Sequence, residues 1–233
     1  MRFRAPATVL IGAVATVAVV AVAATIAVRA SYATIDAGFW WADAPFRLSA
    51  GDAVKIGGAL TADELMSIQS VSRAEVRRAY ADLRINITDQ RQAFWRVAVI
   101  AAPLTVTRNR TTYPFSFAGE SRVFGPLGGS GSVAFAILAH NAIEYAPAHT
   151  PRPQIIAAIG RGIGRAAVHE FAHQALGLAN LSALDNRTDP DSFEYGNADR
   201  ASQYYGELRW TTAWPVLREK FGNTKNTKTR PSW

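Results

Sequence analysis

The stretch between Thr150 and Gly177 constrains the fold more than any other part of the chain. Pro151 suits the first position of a helix, where its missing N–H costs nothing, and glycine is the usual residue just beyond a helix end. Apolar side chains recur at the spacing of one helix face, at Ile155, Ile156, Ile159 and Ile163. The sequence therefore predicts one long helix that starts after Thr150 and ends at about Leu176.

This helix carries two histidines one turn apart, in the segment His169-Glu170-Phe171-Ala172-His173. Residues four positions apart lie on the same face of a helix, so both imidazoles can reach one zinc ion. Glu170 is offset from His169 by about 100° around the helix axis, which suits it to a zinc-bound water rather than to the metal. Zinc lowers the pKa of such a water to about 7, and Glu170 is predicted to accept its proton as general base.

A stripe of histidine and glutamate on a solvent-exposed helix face would produce the same pattern of letters. The flanking segments 166–168 and 171–172 are apolar, however, so the sequence predicts that this part of the helix is buried. Burying two histidines and a glutamate without partners is costly. The context therefore favours a zinc site with His169 and His173 as ligands.

Cysteine is absent from all 233 residues. Its absence excludes disulfide scaffolds, cysteine-ligated zinc, iron–sulfur clusters and thiol nucleophiles, so any metal must be held by histidine, aspartate or glutamate. The net charge of +7 includes three arginines near the N-terminus, and most other basic residues are dispersed. No nucleic-acid partner is therefore predicted. The remaining histidines, His140 and His149, are interpreted as ordinary surface residues.

Residues 168–196 resemble the zincin metallopeptidases, which share the HExxH motif. The segment 169–177 also looks like the start of the longer metzincin motif HExxHxxGxxH. Gly177 comes one residue late for that motif, and Ala179 stands where its third histidine would be. The methionine turn of metzincins has no counterpart, since the only methionines are Met1 and Met66. The resemblance implies an α+β fold with a small mixed sheet behind the active-site helix and a C-terminal subdomain.

The gluzincins, which take a third zinc ligand from a glutamate about twenty residues beyond the second histidine, offer the closer resemblance in ligand supply. Glu194 lies 21 positions after His173 and is implied as that ligand. The ExxxD sequence of the family is not reproduced, because position 198 is alanine. Rival carboxylates stand nearby, at Asp185, Asp189 and Asp191. The resemblance also implies a donor for the oxyanion of the reaction, for which the candidates are Tyr204 and Tyr205.

An uncharged segment of 24 residues covers positions 5–28. As a helix it would be about 36 Å long, enough to cross the hydrocarbon core of a bilayer. Arg2 and Arg4 precede it and Arg29 follows it, which predicts a cytoplasmic N-terminus and an extracytoplasmic remainder. A cleaved signal peptide is the alternative, with the domain secreted.

The chain is predicted to comprise an anchor or signal segment (1–30), a linker with a docking piece (31–52), a zincin-like domain (53–222) and a basic tail (223–233). Two possible capping boxes predict one bent helix or two short helices over 62–83, and they are formed by Thr61 with Glu64 and by Ser72 with Glu75. Apolar patterns predict strands at 53–56, 83–88, 94–101, 133–139 and 142–145. The stretch between 101 and 131 is predicted to be loop-rich. The segment 133–139, which could equally be helical, is predicted as the edge strand that binds substrate.

The sequence thus predicts a membrane-anchored, extracytoplasmic zinc metallopeptidase that hydrolyses a peptide or protein substrate. Its Zn²⁺ ligands are predicted to be His169, His173 and Glu194, with Glu170 as the general base. The alternative is a non-catalytic, zincin-like binding module of the cell envelope. Glu170 favours the enzyme, because a purely structural zinc site needs no general base.

Overall fold

The computed structural model of the protein describes residues 34–102, 104–108, 111–177, 184–185 and 187–222. The chain divides into two units, residues 1–34 and Ile35–Trp233, and the second unit contains nearly all of the described residues. The predicted anchor or signal segment (1–30), the basic tail (223–233) and Ala179 lie outside the described residues. Within those residues, no helix combines the length and the apolar character that crossing a membrane requires.

The second unit has an α+β fold built on a mixed sheet, as predicted. Its strands are β1 (Ile35–Trp41), β2 (Ile85–Thr88), β3 (Trp95–Ile100), β4 (Leu104–Arg108), β5 (Thr111–Phe117), β6 (Gly119–Val123) and β7 (Gly129–Ala134). Five of them form one sheet in the order β2-β1-β3-β7-β6. Neighbours from β2 to β7 run parallel, and β6 is antiparallel to β7 at one edge. A separate antiparallel hairpin is formed by β4 and β5.

The helices of the described residues are α1 (Ala50–Lys55), α2 (Ala62–Ala79), α3 (Phe135–Glu144), α4 (Arg152–Leu176) and α5 (Trp214–Phe221). Helix α4 confirms the predicted long helix, and its C-cap Gly177 has a positive φ of 69°. Helix α2 is continuous, and its capping box is formed by the predicted pair Thr61 and Glu64. The second predicted capping box is wrong, because Ser72 lies inside α2 and its hydroxyl donates to the carbonyl of Gln69.

Several short strands predicted from apolar runs are corrected by the structure. The segment 53–56 belongs mostly to α1, whose N-cap Ser49 accepts a hydrogen bond from the Asp52 N–H. The segment 133–139 begins as the end of an interior strand and continues as α3, and 142–145 lies mostly within α3. Runs of this length do not distinguish a strand from a buried helix. The strands predicted at 83–88 and 94–101 are confirmed as β2 and β3.

Two segments predicted as linker or loop supply strands instead. The interval 31–52 contains β1, which pairs with both β2 and β3 and buries Ala37 and Phe39 completely. The loop-rich interval before residue 131 contains β6 and the hairpin of β4 and β5. Strand β6 contains one residue each of glycine, glutamate, serine, arginine and valine, so it lacks the apolar alternation by which a half-buried strand is recognised.

Helix α4 lies between the sheet and α2. One side of it packs on β3, β7 and β6, and the other packs on α2. Glycines allow the close approach to α2: a Cβ added at Gly160 or at Gly164 would lie only 2.7 Å from the Cβ of Val71 or of Glu75, respectively. The HExxH segment is therefore held on a helix that is packed on two sides, and its position is fixed by the core of the domain.

Candidate metal centre

The two histidines of the HExxH segment meet on one face of α4. The Nε2 atoms of His169 and His173 are 3.1 Å apart, and the two rings lie edge to face with centroids 4.8 Å apart. The predicted i, i+4 arrangement is therefore present in the structure.

Asp185 supplies the third oxygen or nitrogen donor of this cluster. Its Oδ1 lies 3.1 Å from Nε2 of His169, and its Oδ2 lies 3.5 Å from Nε2 of His173. Hydrogen bonds with the two histidines hold the pKa of Asp185 well below its usual range. Asp185 has a left-handed backbone with φ of 55°, a conformation that aspartate tolerates better than most residues do.

The spacing of these donor atoms fits a tetrahedral zinc ion. Zinc bonds of about 2.0–2.2 Å at tetrahedral angles place neighbouring ligand atoms about 3.3–3.6 Å apart. Two of the separations in the cluster are 3.1 Å, slightly shorter than these edges, and the third, to the other carboxylate oxygen of Asp185, is 3.5 Å. Two imidazoles and one carboxylate also match the donor set of a catalytic site, in which three protein ligands leave a fourth position for water or substrate.

The hydrogen bond of His169 to the protein backbone fixes which of its nitrogens faces the cluster. Nδ1 lies 2.8 Å from the carbonyl oxygen of Phe193, which can only accept, so Nδ1 carries the hydrogen. In the neutral ring, Nε2 then presents a lone pair to the carboxylate of Asp185. Two acceptors at 3.1 Å require a cation between them, either a proton or a metal ion. Burial acts to lower the pKa of His169, but the hydrogen bonds with Asp185 and Phe193 and the charges of Glu170 and Asp185 together outweigh burial and raise it.

Glu194, the predicted third ligand, does not join this cluster in the structure. It is completely buried, and its Oε1 accepts hydrogen bonds from the N–H groups of Thr211 at 2.7 Å and Ala213 at 2.9 Å. The group of donors that could share one cation contains Asp185 in its place. Glu194 therefore has the spacing of a gluzincin ligand in the sequence, but in the structure it connects the segment around Phe193 to the residues at the start of α5.

The other two rival residues, Asp189 and Asp191, belong to a turn. Asp189 Oδ1 accepts a hydrogen bond from the N–H of Asp191, and Asp189 Oδ2 accepts one from Arg209 at 3.1 Å. Asp191 is exposed and its carbonyl accepts from the N–H of Arg209. These contacts brace the turn that leads to Phe193, and neither carboxylate belongs to the histidine cluster.

Glu170 lies beside the cluster, beneath the edge strand β6. Only 6% of its surface is exposed, and burial raises its pKa although His169 and His173 act in the opposite direction. The hydroxyl of Ser121 on β6 donates to the main-chain carbonyl of Glu170 at 2.9 Å. A Cβ added at Gly119 would collide with the Glu170 carboxylate. The absence of a side chain at position 119 therefore allows the backbone of β6 to pack against the carboxylate of the predicted general base.

A second contact joins α4 to the sheet just beyond the cluster. The side-chain amide of Gln174 accepts from the N–H of Arg96 at 2.9 Å and donates to the carbonyl of Arg96 at 3.0 Å. It therefore satisfies both backbone groups of one residue of β3. Because Gln174 is buried, this pair of bonds fixes the rotation of α4 and the direction in which Glu170 points.

A cleft of about 830 Å³ opens over these residues. Its lining includes residues of β6 and of the segment from Phe193 to Arg200. Tyr195 lines this cleft, whereas the predicted oxyanion donors are engaged elsewhere. The Tyr204 hydroxyl donates to the carbonyl of Ala198, and the Tyr205 hydroxyl donates to the carbonyl of Ala142. No sequence pattern distinguishes Tyr195, because its access to the cleft depends on the turn that precedes it.

A second set of side chains whose donor atoms are close enough to share a metal ion is formed by Asp52, His140 and Glu144. His140 is interpreted from the sequence as an ordinary surface residue, but its Nδ1 lies 2.9 Å from Oδ1 of the buried Asp52. Glu144 is paired with the ammonium group of Lys55. The ammonium group of Lys55 thus already pairs with one of these three side chains, which distinguishes this set from the cluster around His169.

Comparison of the chain with protein-family models, with curated proteins and with solved structures gives no match. The function is therefore inferred from the chemistry of the site itself.

Proposed function

We propose that the protein is a zinc-dependent metallopeptidase of zincin type. The observation that carries the proposal is the set of three separations, close to the edges of a zinc tetrahedron, between Nε2 of His169, Nε2 of His173 and the carboxylate of Asp185. A buried glutamate directly follows the first histidine on the same helix. This revises the ligand set implied by the gluzincin resemblance, with Asp185 in place of Glu194.

The reaction is hydrolysis of a peptide bond. Zinc, when bound, supplies Lewis acidity that lowers the pKa of water and polarises a carbonyl group. Glu170 accepts a proton from the attacking water as the water oxygen forms a bond to the carbonyl carbon. The C–N bond then breaks, and Glu170 returns the proton to the departing amine nitrogen. Burial of Glu170 suits this role, because a raised pKa makes the carboxylate a stronger base.

The substrate strand is proposed to pair with β6. Strand β6 lies at the edge of the sheet and contacts Glu170 through Gly119. An extended peptide that adds to a sheet edge gains main-chain hydrogen bonds, while neighbouring pockets recognise its side chains. This replaces the predicted edge strand at 133–139, whose strand portion lies inside the sheet between β3 and β6.

Location outside the cytoplasm is part of the proposal and is supported by the uncharged segment at positions 5–28. Full-length protein is expected to stay in the membrane fraction after alkaline carbonate washing. A C-terminal tag is expected to be accessible only from the extracytoplasmic side. A soluble mature chain that begins near residue 31 would instead identify a cleaved signal peptide and a secreted enzyme.

The decisive experiment measures metal content and hydrolysis on the same purified, full-length protein. About one zinc per chain is expected, together with hydrolysis of a quenched peptide library that a chelator abolishes and added zinc restores. Zinc binding without hydrolysis of any peptide would favour the non-catalytic binding module. A folded protein that takes up no zinc would contradict the metallopeptidase and leave only a binding module that has the fold without the metal.

A further inference from the structure

Three large apolar side chains are exposed to solvent at one end of the sheet. Phe94 is 42% exposed, Phe124 44% and Leu127 78%. Phe94 directly precedes β3, and the other two belong to the connection between β6 and β7. These three residues form the apolar patch. Contiguous exposed apolar surface usually marks a place where a protein, a ligand or a membrane binds.

Backbone contacts hold the apolar patch together. The N–H of Phe124 donates to the carbonyl of Gly128 at 2.8 Å, and the N–H of Gly129 donates to the carbonyl of Phe94 at 3.1 Å. A Cβ added at Gly128 would lie 3.3 Å from Cδ2 of the Phe94 ring. The Phe94 ring therefore lies against the connection that carries Phe124 and Leu127, and the three side chains share one surface.

The first strand of the domain begins at this same end of the sheet. Strand β1 runs parallel to β3, so the two strands begin at the same edge. Ile35, the first residue of β1, lines a cavity of about 380 Å³ together with Phe94 and Gly125. It lies seven positions after Val28, the last residue of the uncharged segment 5–28. Seven residues span at most about 25 Å, so an anchor at 5–28 keeps this end of the domain close to the bilayer.

The residues that follow α5 leave the domain at this end as well. The N–H of Ile35 donates to the carbonyl of Arg84 at 3.0 Å, and the N–H of Arg84 donates to the carbonyl of Phe221 at 2.7 Å. Phe221 is the last residue of α5 and lines the cavity beside the apolar patch. The segment 223–233 contains three basic residues and no acidic one. Basic residues close to an anionic membrane surface are attracted to it.

We propose that the apolar patch docks on the extracytoplasmic surface of the bilayer that the segment 5–28 crosses. Its three side chains insert among the lipid headgroups, and the basic segment 223–233 is attracted to anionic lipids. Burial of apolar surface and attraction to anionic lipids together hold proteins at a membrane interface. The inference rests on the membrane anchor that is part of the proposed function, but it requires neither zinc nor hydrolysis.

Site-specific fluorescence tests this docking surface, because a chain without cysteine can be labelled at one introduced position. Full-length Leu127→Cys protein is labelled with an environment-sensitive dye and reconstituted in vesicles of equal parts phosphatidylcholine and phosphatidylglycerol. Lipids with a nitroxide near the headgroup are expected to quench this dye about threefold more strongly than a dye at Val54→Cys. Equal quenching at the two positions would overturn the proposal.

Val54 is the matched control because its exposure, 80%, is close to that of Leu127. It lies in α1, whose residue Asp52 lines a cleft together with Ala118. Ala118 directly precedes β6, and the apolar patch follows the other end of that strand. The two labels therefore report on opposite ends of β6.

A second set of variants tests whether the aromatic side chains contribute to docking. Phe94→Ser combined with Phe124→Ser, in the labelled Leu127→Cys protein, should lower the quenching by about half or more, because less apolar surface enters the interface. Val54→Ser in the same protein should leave the quenching unchanged. Thermal unfolding checks that each variant is folded. Quenching that the double substitution leaves unaltered in a folded protein would overturn the proposal.

Peptide hydrolysis and carbonate extraction, measured on the same preparations, separate this inference from the proposed function. Strong quenching at Leu127 in a protein that hydrolyses no peptide would support the docking surface and contradict the peptidase. Hydrolysis by a carbonate-resistant protein with quenching no stronger at Leu127 than at Val54 would overturn the docking surface and leave the peptidase standing. If the mature chain begins near residue 31, sedimentation with the same vesicles replaces the quenching measurement. Failure of that chain to sediment would then overturn the docking surface.

Discussion

The backbone carbonyl of Phe193 accepts a hydrogen bond from Nδ1 of His169, at 2.8 Å across 24 residues of sequence. This bond joins the turn that follows α4 to the first histidine of the proposed metal centre. Contacts of this kind fix the tautomer and the ring orientation of a metal-ligating histidine. Glu194 then holds the same turn in place through its hydrogen bonds from Thr211 and Ala213. Glu194, which lies outside the cluster, is therefore connected through the neighbouring Phe193 to the proposed ligand His169.

Replacing Asp185 tests whether Asp185, rather than Glu194, is the third zinc ligand. Loss of a residue that only hydrogen-bonds to a metal ligand lowers metal affinity by roughly 10- to 100-fold. Asp185→Ala, which removes a proposed ligand, is expected to lower zinc affinity by more than that. Zinc affinity is measured by competition with a chromophoric chelator, and folding is checked by circular dichroism. Asp191→Ala, which removes a nearby exposed carboxylate outside the cluster, is the control and should retain zinc.

Glu194 should behave as a supporting residue. Glu194→Gln keeps an oxygen that can accept from Thr211 and Ala213, so zinc affinity should remain close to that of the wild type. Glu194→Ala removes both bonds and should weaken zinc binding about 10- to 100-fold, by releasing the carbonyl of Phe193. If Glu194→Gln loses zinc while Asp185→Ala retains it, Glu194 is the ligand and the revised set is wrong.

Glu170→Gln tests the assignment of the general base. The variant should bind zinc with nearly unchanged affinity, because the carboxylate lies outside the set of donor atoms that could share the ion. Its hydrolytic rate should fall about 10²- to 10⁴-fold, the usual contribution of general acid–base catalysis. Zinc content and kcat are measured on the same preparation. Loss of metal from the variant would show that Glu170 binds the ion or orients its ligands.

The pair formed by Glu64 and Arg152 should make stability depend on pH in the acid range. Two hydrogen bonds from Arg152, at 2.6 and 2.8 Å, join the beginning of α4 to the beginning of α2 and lower the pKa of Glu64 to about 2. Because the pKa of the folded state lies below the ordinary value, the stabilisation is complete above about pH 4.5 and is lost as the pH falls towards 2.

Urea unfolding with a chelator present, at pH 7 and pH 3, measures this contribution. Glu64→Gln should lower the free energy of unfolding by about 1–2 kcal/mol at pH 7. The difference from wild type should shrink to less than half at pH 3. Asp43→Asn breaks an exposed ion pair and should cost well under about 1 kcal/mol at pH 7. An equal effect of Glu64→Gln at both pH values would contradict the lowered pKa.

The sequence was most informative where local chemistry determines the structure. The period of α4, its terminal Gly177 and the capping box of Thr61 and Glu64 are all encoded within a few neighbouring residues, and the structure has each of them. The meeting of His169 and His173 follows from helix geometry alone. These features needed no knowledge of distant contacts.

The third donor and the edge strand could not be predicted in the same way. Asp185 meets His169 from beyond the end of α4 and has a left-handed backbone, a placement that a count of residues does not specify. Gly196 also approaches Asp185 closely, since a Cβ added there would lie 2.8 Å from the Cα of Asp185. Strand β6 is polar and glycine-containing because it contacts Glu170 and Gln174. Its sequence reflects the site rather than a hydrophobic face.

Gly119→Ala tests whether the close approach of β6 to Glu170 matters for catalysis. The added methyl group would collide with the Glu170 carboxylate, so either the side chain or the strand must shift. Because misplacement by about 1 Å can cost about 100-fold in rate, a large fall in kcat is expected while His169, His173 and Asp185 still bind zinc. Gly51→Ala is the matched control, since a methyl group there meets only Ser49 Oγ at 3.9 Å and should leave kcat unchanged. Kinetics, zinc content and thermal unfolding are measured for both variants. Unchanged kcat in Gly119→Ala would show that β6 can yield without disturbing the general base, and would contradict the role assigned to this contact.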